Sequence, residues 1–107
     1  MEVNSIVVNV IAHAGDGLSA ALSAVDEAKA GNLDKAKELI EQSDEAILYA
    51  HKEHTKLLVN EARGEKMELT FLMTHASDHL ATADLARELA GRMVEMYEYF
   101  EERLKEK

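Results

Sequence analysis

Three side chains in the stretch Met73-Thr74-His75-Ala76-Ser77-Asp78-His79-Leu80 have types and spacings that could do chemistry together. His75 and His79 are four residues apart, and Asp78 follows His75 by three. On a helix those spacings put all three on one side. The surrounding periodicity makes that side read as core, where a titratable group needs a partner, a metal or a task. Three readings follow. Histidines at i and i+4 can share a zinc ion, but the zinc-protease pattern wants a glutamate directly after the first, and Ala76 stands there. A neutral imidazole can instead take a phosphoryl group and pass it on, splitting one difficult transfer into two easier ones. His79, His51, His54 and the hydroxyl of Ser77 are then candidates to hold the phosphoryl oxygens. The third reading is that these are simply hydrogen-bonded polar residues inside a core.

No Gly-rich phosphate loop and no Walker lysine occurs. A phosphoryl group would therefore arrive from another protein and leave to one.

The elements that must position these residues are helices. The chain has 107 residues with no proline and five glycines, and Ala, Leu, Glu and Lys dominate. That length predicts a single domain, 1–107. Gly31 followed by Asn32, and Gly64 after Arg63, read as helix stops and restarts. They divide the chain into helices over roughly 4–30, 33–63 and 68–105, and the short connections predict an antiparallel up-down-up bundle. The first helix carries a stripe of Val7, Val10, Ile11, Ala14, Leu18, Ala21, Leu22 and Val25, interrupted by Gly15 and Gly17, where the helix is expected either to pack closely or to leave a cleft open. In the third helix, apolar residues from Phe71 to Phe100 fill an arc of about 200°, where a core-facing stripe needs about 100°. A helix with so wide an apolar face is expected to bury part of it against copies of itself.

The formal net charge is −9, which argues against nucleic acid and anionic membrane surfaces as partners and fits a basic protein surface. The absence of cysteine excludes thiolate and disulfide chemistry. No basic leader and no apolar run near the length of a membrane span is read from the sequence, so a cytoplasmic protein without direct membrane insertion is expected.

The block Met73-Thr74-His75 with Asp78-His79-Leu80 resembles the active-site segment of the lactose/cellobiose-type IIA components of the bacterial phosphoenolpyruvate-dependent sugar phosphotransferase system. Ala12-His13-Ala14-Gly15-Asp16, Ala50-His51 through Thr55, and Glu61-Ala62-Arg63-Gly64 resemble other stretches of that family, so the likeness covers nearly the whole chain. The resemblance implies an all-α three-helix bundle that trimerises through its third helices. It implies that His75 is phosphorylated by the phosphocarrier HPr and passes the group to a IIB component, which serves a membrane permease (IIC). It implies that Asp78, one from each of three subunits, shares a divalent metal, commonly magnesium, on the trimer axis. Three clustered carboxylates would repel without such a cation. The implied sugar is a β-linked disaccharide, and the wording Met73-Thr74-His75-Ala76 is nearer the cellobiose and chitobiose branch than the lactose one. The chain departs from the family pattern at Ser77 and at His54, both usually glutamine, and at Ala81, often methionine. A non-catalytic acidic helical oligomer, serving as an interaction or regulatory module, is the competing expectation.

Overall fold

The computed structural model describes residues 2–106. It contains three helices, α1 (Val3–Lys29), α2 (Leu33–Ala62) and α3 (Phe71–Lys105). They form a rod of 63 × 19 × 19 Å. Both predicted stops are present, and the backbone shows why. Gly31 and Gly64 have φ of 90° and 86°, values that only glycine adopts at little cost. At the first, Gly31 N–H donates to Ala28 C=O and Asn32 N–H to Glu27 C=O; at the second, Gly64 donates to Glu61 and Glu65 to Asn60. Each is a Schellman closure that satisfies the last carbonyls of its helix. Asn32 occupies the N-cap of α2 without a capping bond; its side chain donates to Glu27 instead. α3 begins at Phe71, three residues beyond the predicted 68, because the Thr70 hydroxyl accepts from the Met73 amide and fixes the first turn.

α1 packs along both other helices, whereas α2 and α3 touch each other far less. The reason is a ridge of small residues. Ala14, Gly17, Ala21, Ala24 and Ala28 recur at three- and four-residue steps and are all buried. They let α1 approach α2 closely enough for Ser43 Oγ, itself fully buried, to donate to Gly17 C=O at 2.7 Å. A first apolar cluster joins Val7, Val10, Ile47, Ala50, Leu57, Ala76 and Leu80. A second, smaller one joins Ala24, Ala28, Ala36 and Val94.

α1 does contain an 18-residue window of mean hydropathy 1.3, long and apolar enough by length and composition to cross a membrane. Its apolar residues are spread among Asn, Ser, Gly and His and form no continuous run. In the bundle it is the helix that packs against both of its neighbours.

Candidate functional site

α3 presents four faces to different surroundings. Ala76, Leu80, Ala83, Ala90 and Val94 are buried and define its core direction. Stepping about 100° per residue, His75 and Ser77 fall on opposite flanks of that direction, roughly 200° apart from one another. Asp78 points almost directly away from the core and is exposed. Beyond it, Leu85, Leu89, Met93, Met96 and Phe100 continue an outward apolar stripe, and Phe71, 95% exposed, stands at its start.

His75 is exposed and His79 half-buried on the flank shared with α1. Their rings meet edge to face, with centroids 4.5 Å apart and planes at 77°. On α1, a Cβ added at Gly15 would meet nothing within 4 Å, so that position faces open space. At Gly17 the close-packed alternative holds and the cleft does not. A Cβ there would lie 2.5 Å from Ile47 Cγ1, so Gly17 serves the α1–α2 crossing and opens no cleft.

The remaining candidates line the opposite, α2–α3 seam. His54 Nε2 lies 3.3 Å from Ser77 Oγ. His51 Nε2 lies 2.9 Å from each oxygen of Asp84. Below them, Arg87 pairs with Asp44 and Lys37 with Glu98. The hydrogen bond that Arg87 donates to Asp44 raises the guanidinium pKa above its ordinary value. The hydrogen bond and charge of Glu98 raise the Lys37 ammonium likewise. These rungs, together with Ile40 and Val94, make the α2–α3 contact a largely polar seam. The sequence carried a signal for it that composition hides: Lys37, Asp44 and His51 recur every seven residues on α2. Within one chain His51, His54 and Ser77 therefore stand away from His75, and His51 is already engaged by Asp84.

Asp78 makes no hydrogen bond or ion pair among the described residues, and no group of three potential ligands there could hold a metal. It lines a cavity of about 250 Å³ at the top of the seam, together with His54, Thr74 and Ser77 over a floor of Leu57 and Met73.

The family described as "PTS system, Lactose/Cellobiose specific IIA subunit" matches residues 5–98, a span that takes in most of α1 and α3, all of α2 and every candidate site residue. The chain belongs to this family. It is 39% identical to the lichenan-specific phosphotransferase enzyme IIA component of Bacillus subtilis over 97 residues, 91% of this chain and 88% of that one. Its fold is similar to that of the cellobiose-specific enzyme IIA of Bacillus anthracis, with a TM-score of 0.90 and 37% identity, covering 94% and 93% of the two chains. It also matches the IIA chain in the solution structure of the Escherichia coli IIA(chitobiose)–HPr complex, with a TM-score of 0.81 and 35% identity, covering 94% and 98%. As a IIA subunit, the chain is a phosphocarrier of a sugar phosphotransferase system. The flank that carries His75 and His79, more than any pocket within a single chain, is the place to look for its chemistry.

Proposed function

We propose that His75 accepts a phosphoryl group from phospho-HPr and passes it to a IIB component during uptake of a β-linked disaccharide of the cellobiose, chitobiose or lactose class. The observation that carries this is the exposed imidazole of His75, which makes no hydrogen bond among the described residues, with the His79 ring edge-on at 4.5 Å. An imidazole nitrogen of His75 attacks phosphorus in line. Its bond to phosphorus forms as the bond to the donor atom on HPr breaks, and the reverse sequence delivers the group to IIB. His79, when protonated, supplies a charged donor to the phosphoryl oxygens. The similar IIA(chitobiose) of Escherichia coli forms a complex with HPr.

The outward stripe of α3 supports a homotrimer built around that helix. Asp78 supplies one carboxylate per copy to its axis, and three copies give a set of hard oxygen donors that suits Mg2+. That cation would neutralise the three charges; Asp78 itself takes no part in phosphoryl transfer. In a threefold ring the leading flank of each helix meets the trailing flank of the next. His75 of one copy then faces Ser77 of its neighbour, although the two lie apart within a chain. With HPr, IIB and the IIC permease as its route, the chain acts in the cytoplasm without entering the membrane.

The test incubates the protein and its His75→Ala variant with phosphoenolpyruvate, enzyme I and HPr. Acid-labile, base-stable phosphate is expected on the wild type and none on the variant. Equal labelling of both would sink the assignment, and no labelling of either would favour a non-catalytic interaction module.

A further inference from the structure

His54 and Ser77 belong to different helices, and the fold brings them to 3.3 Å. Both are candidate site residues, and within one chain both stand away from His75. The contact has a polarity. If His54 accepted the serine proton, the Ser77 lone pairs would face the cavity and repel a phosphoryl dianion. If His54 Nε2–H donates to Oγ, the serine hydrogen is released toward the cavity, and the two hydrogen bonds reinforce one another. Thr74 and Asp78 line the same cavity, and Asp78 offers only acceptors.

We propose that His54 is a positioning residue: it donates to Ser77 and so turns the Ser77 hydroxyl outward as a donor to the phosphoryl group on His75 of an adjacent copy. This rests on the phosphoryl relay and threefold assembly proposed above. His54 does not touch the phosphoryl group. It sets which end of the Ser77 hydroxyl does.

The experiment measures the single-turnover rate of transfer from phospho-HPr, and the lifetime of the isolated phosphoprotein, for wild type, Ser77→Ala, His54→Phe, His54→Gln and the Ser77→Ala/His54→Phe double variant. Sedimentation confirms that each has the wild-type mass. A donor to a charged group is worth about tenfold or more. Ser77→Ala and His54→Phe are each expected to slow transfer about that much, and the double variant no further than Ser77→Ala alone. His54→Gln, which keeps an N–H donor, is expected to recover most of the rate. Multiplying losses in the double variant, a wild-type rate for His54→Phe, or a His54→Gln as slow as His54→Phe would overturn the proposal. Should a variant assemble poorly, mixed oligomers decide the matter. His75→Ala chains mixed with Ser77→Ala chains should show a fast phase that neither parent has, and its absence also overturns the proposal. A wild type that takes no phosphate on His75 fails earlier and identifies the relay reading as the one at fault.

Discussion

Gly17→Ala tests how closely α1 and α2 must approach. The added Cβ would sit 2.5 Å from Ile47 Cγ1, 3.1 Å from Ile47 Cδ1 and 3.3 Å from the Ser43 carbonyl oxygen. Carbon atoms rest at about 3.5–4.0 Å. The helices must therefore part by about 1 Å, or Ile47 must leave its rotamer, and overpacking of this kind costs about 1–3 kcal/mol. Parting also stretches the 2.7 Å bond from Ser43 Oγ to Gly17 C=O. Leaving that buried hydroxyl unsatisfied costs about 1–3 kcal/mol more. Alanine returns roughly 1 kcal/mol through helix propensity. The net expectation is a loss of roughly 1–5 kcal/mol. Thermal and urea unfolding at one fixed protein concentration would read it, as a fall in Tm of about 4–8 °C per kcal/mol. Gly91→Ala is the matched control. Its Cβ meets only the Arg87 guanidinium, 2.6 Å from Nη1, which is the far end of a flexible side chain. It should stay within about 1 kcal/mol of wild type. Ile47→Ala added to Gly17→Ala should cost less than Ile47→Ala alone, because it vacates the space the new methyl needs. If both glycine variants unfold alike, or the Ile47 and Gly17 changes simply add, the close-approach argument is wrong.

Glu53 is buried on α2, one of its carboxylate oxygens has no hydrogen-bond partner, and Lys56 one turn on is its ion-pair neighbour. Glu53→Met is expected to leave stability unchanged or raise it in urea unfolding, because it removes a buried carboxylate while the exposed Lys56 ammonium stays in water; a clear loss would show that the charge is needed. Lys37 is held above its ordinary 10.5 by Glu98. A raised cationic pKa contributes stability that is complete below the unfolded value and is lost as pH rises through the folded one. Alkaline unfolding of Lys37→Met should therefore lack a pH-dependent loss, above about pH 10.5, that the wild type shows; parallel curves would refute the coupling. Chelation by EDTA, and Asp78→Leu followed by chelation, separate the metal from the carboxylates. EDTA should weaken the wild-type trimer in sedimentation and leave Asp78→Leu unaffected, whereas equal sensitivity would remove Asp78 as the ligand.

Much of the bundle is written locally. Two glycines with positive φ end α1 and α2, and small and apolar residues at three- and four-residue steps choose the buried faces, so a reader of the sequence can place all three helices. The pairing of His75 with His79 is local in the same sense, since one helical turn sets it. The start of α3 was missed by three residues because a single threonine hydroxyl decides it. What the sequence could not supply is which helix each remaining polar side chain meets. His51, His54 and Ser77 look like helpers of His75 when only residue type and proximity in sequence are weighed. Tertiary packing sends His51 to Asp84 and His54 to Ser77, on the far flank of α3. Gly15 and Gly17 look alike in a helix, yet one faces open space and the other lies against Ile47. Spacing along a helix determines direction, but the neighbour met in that direction is fixed only when α1 draws the other two helices around it.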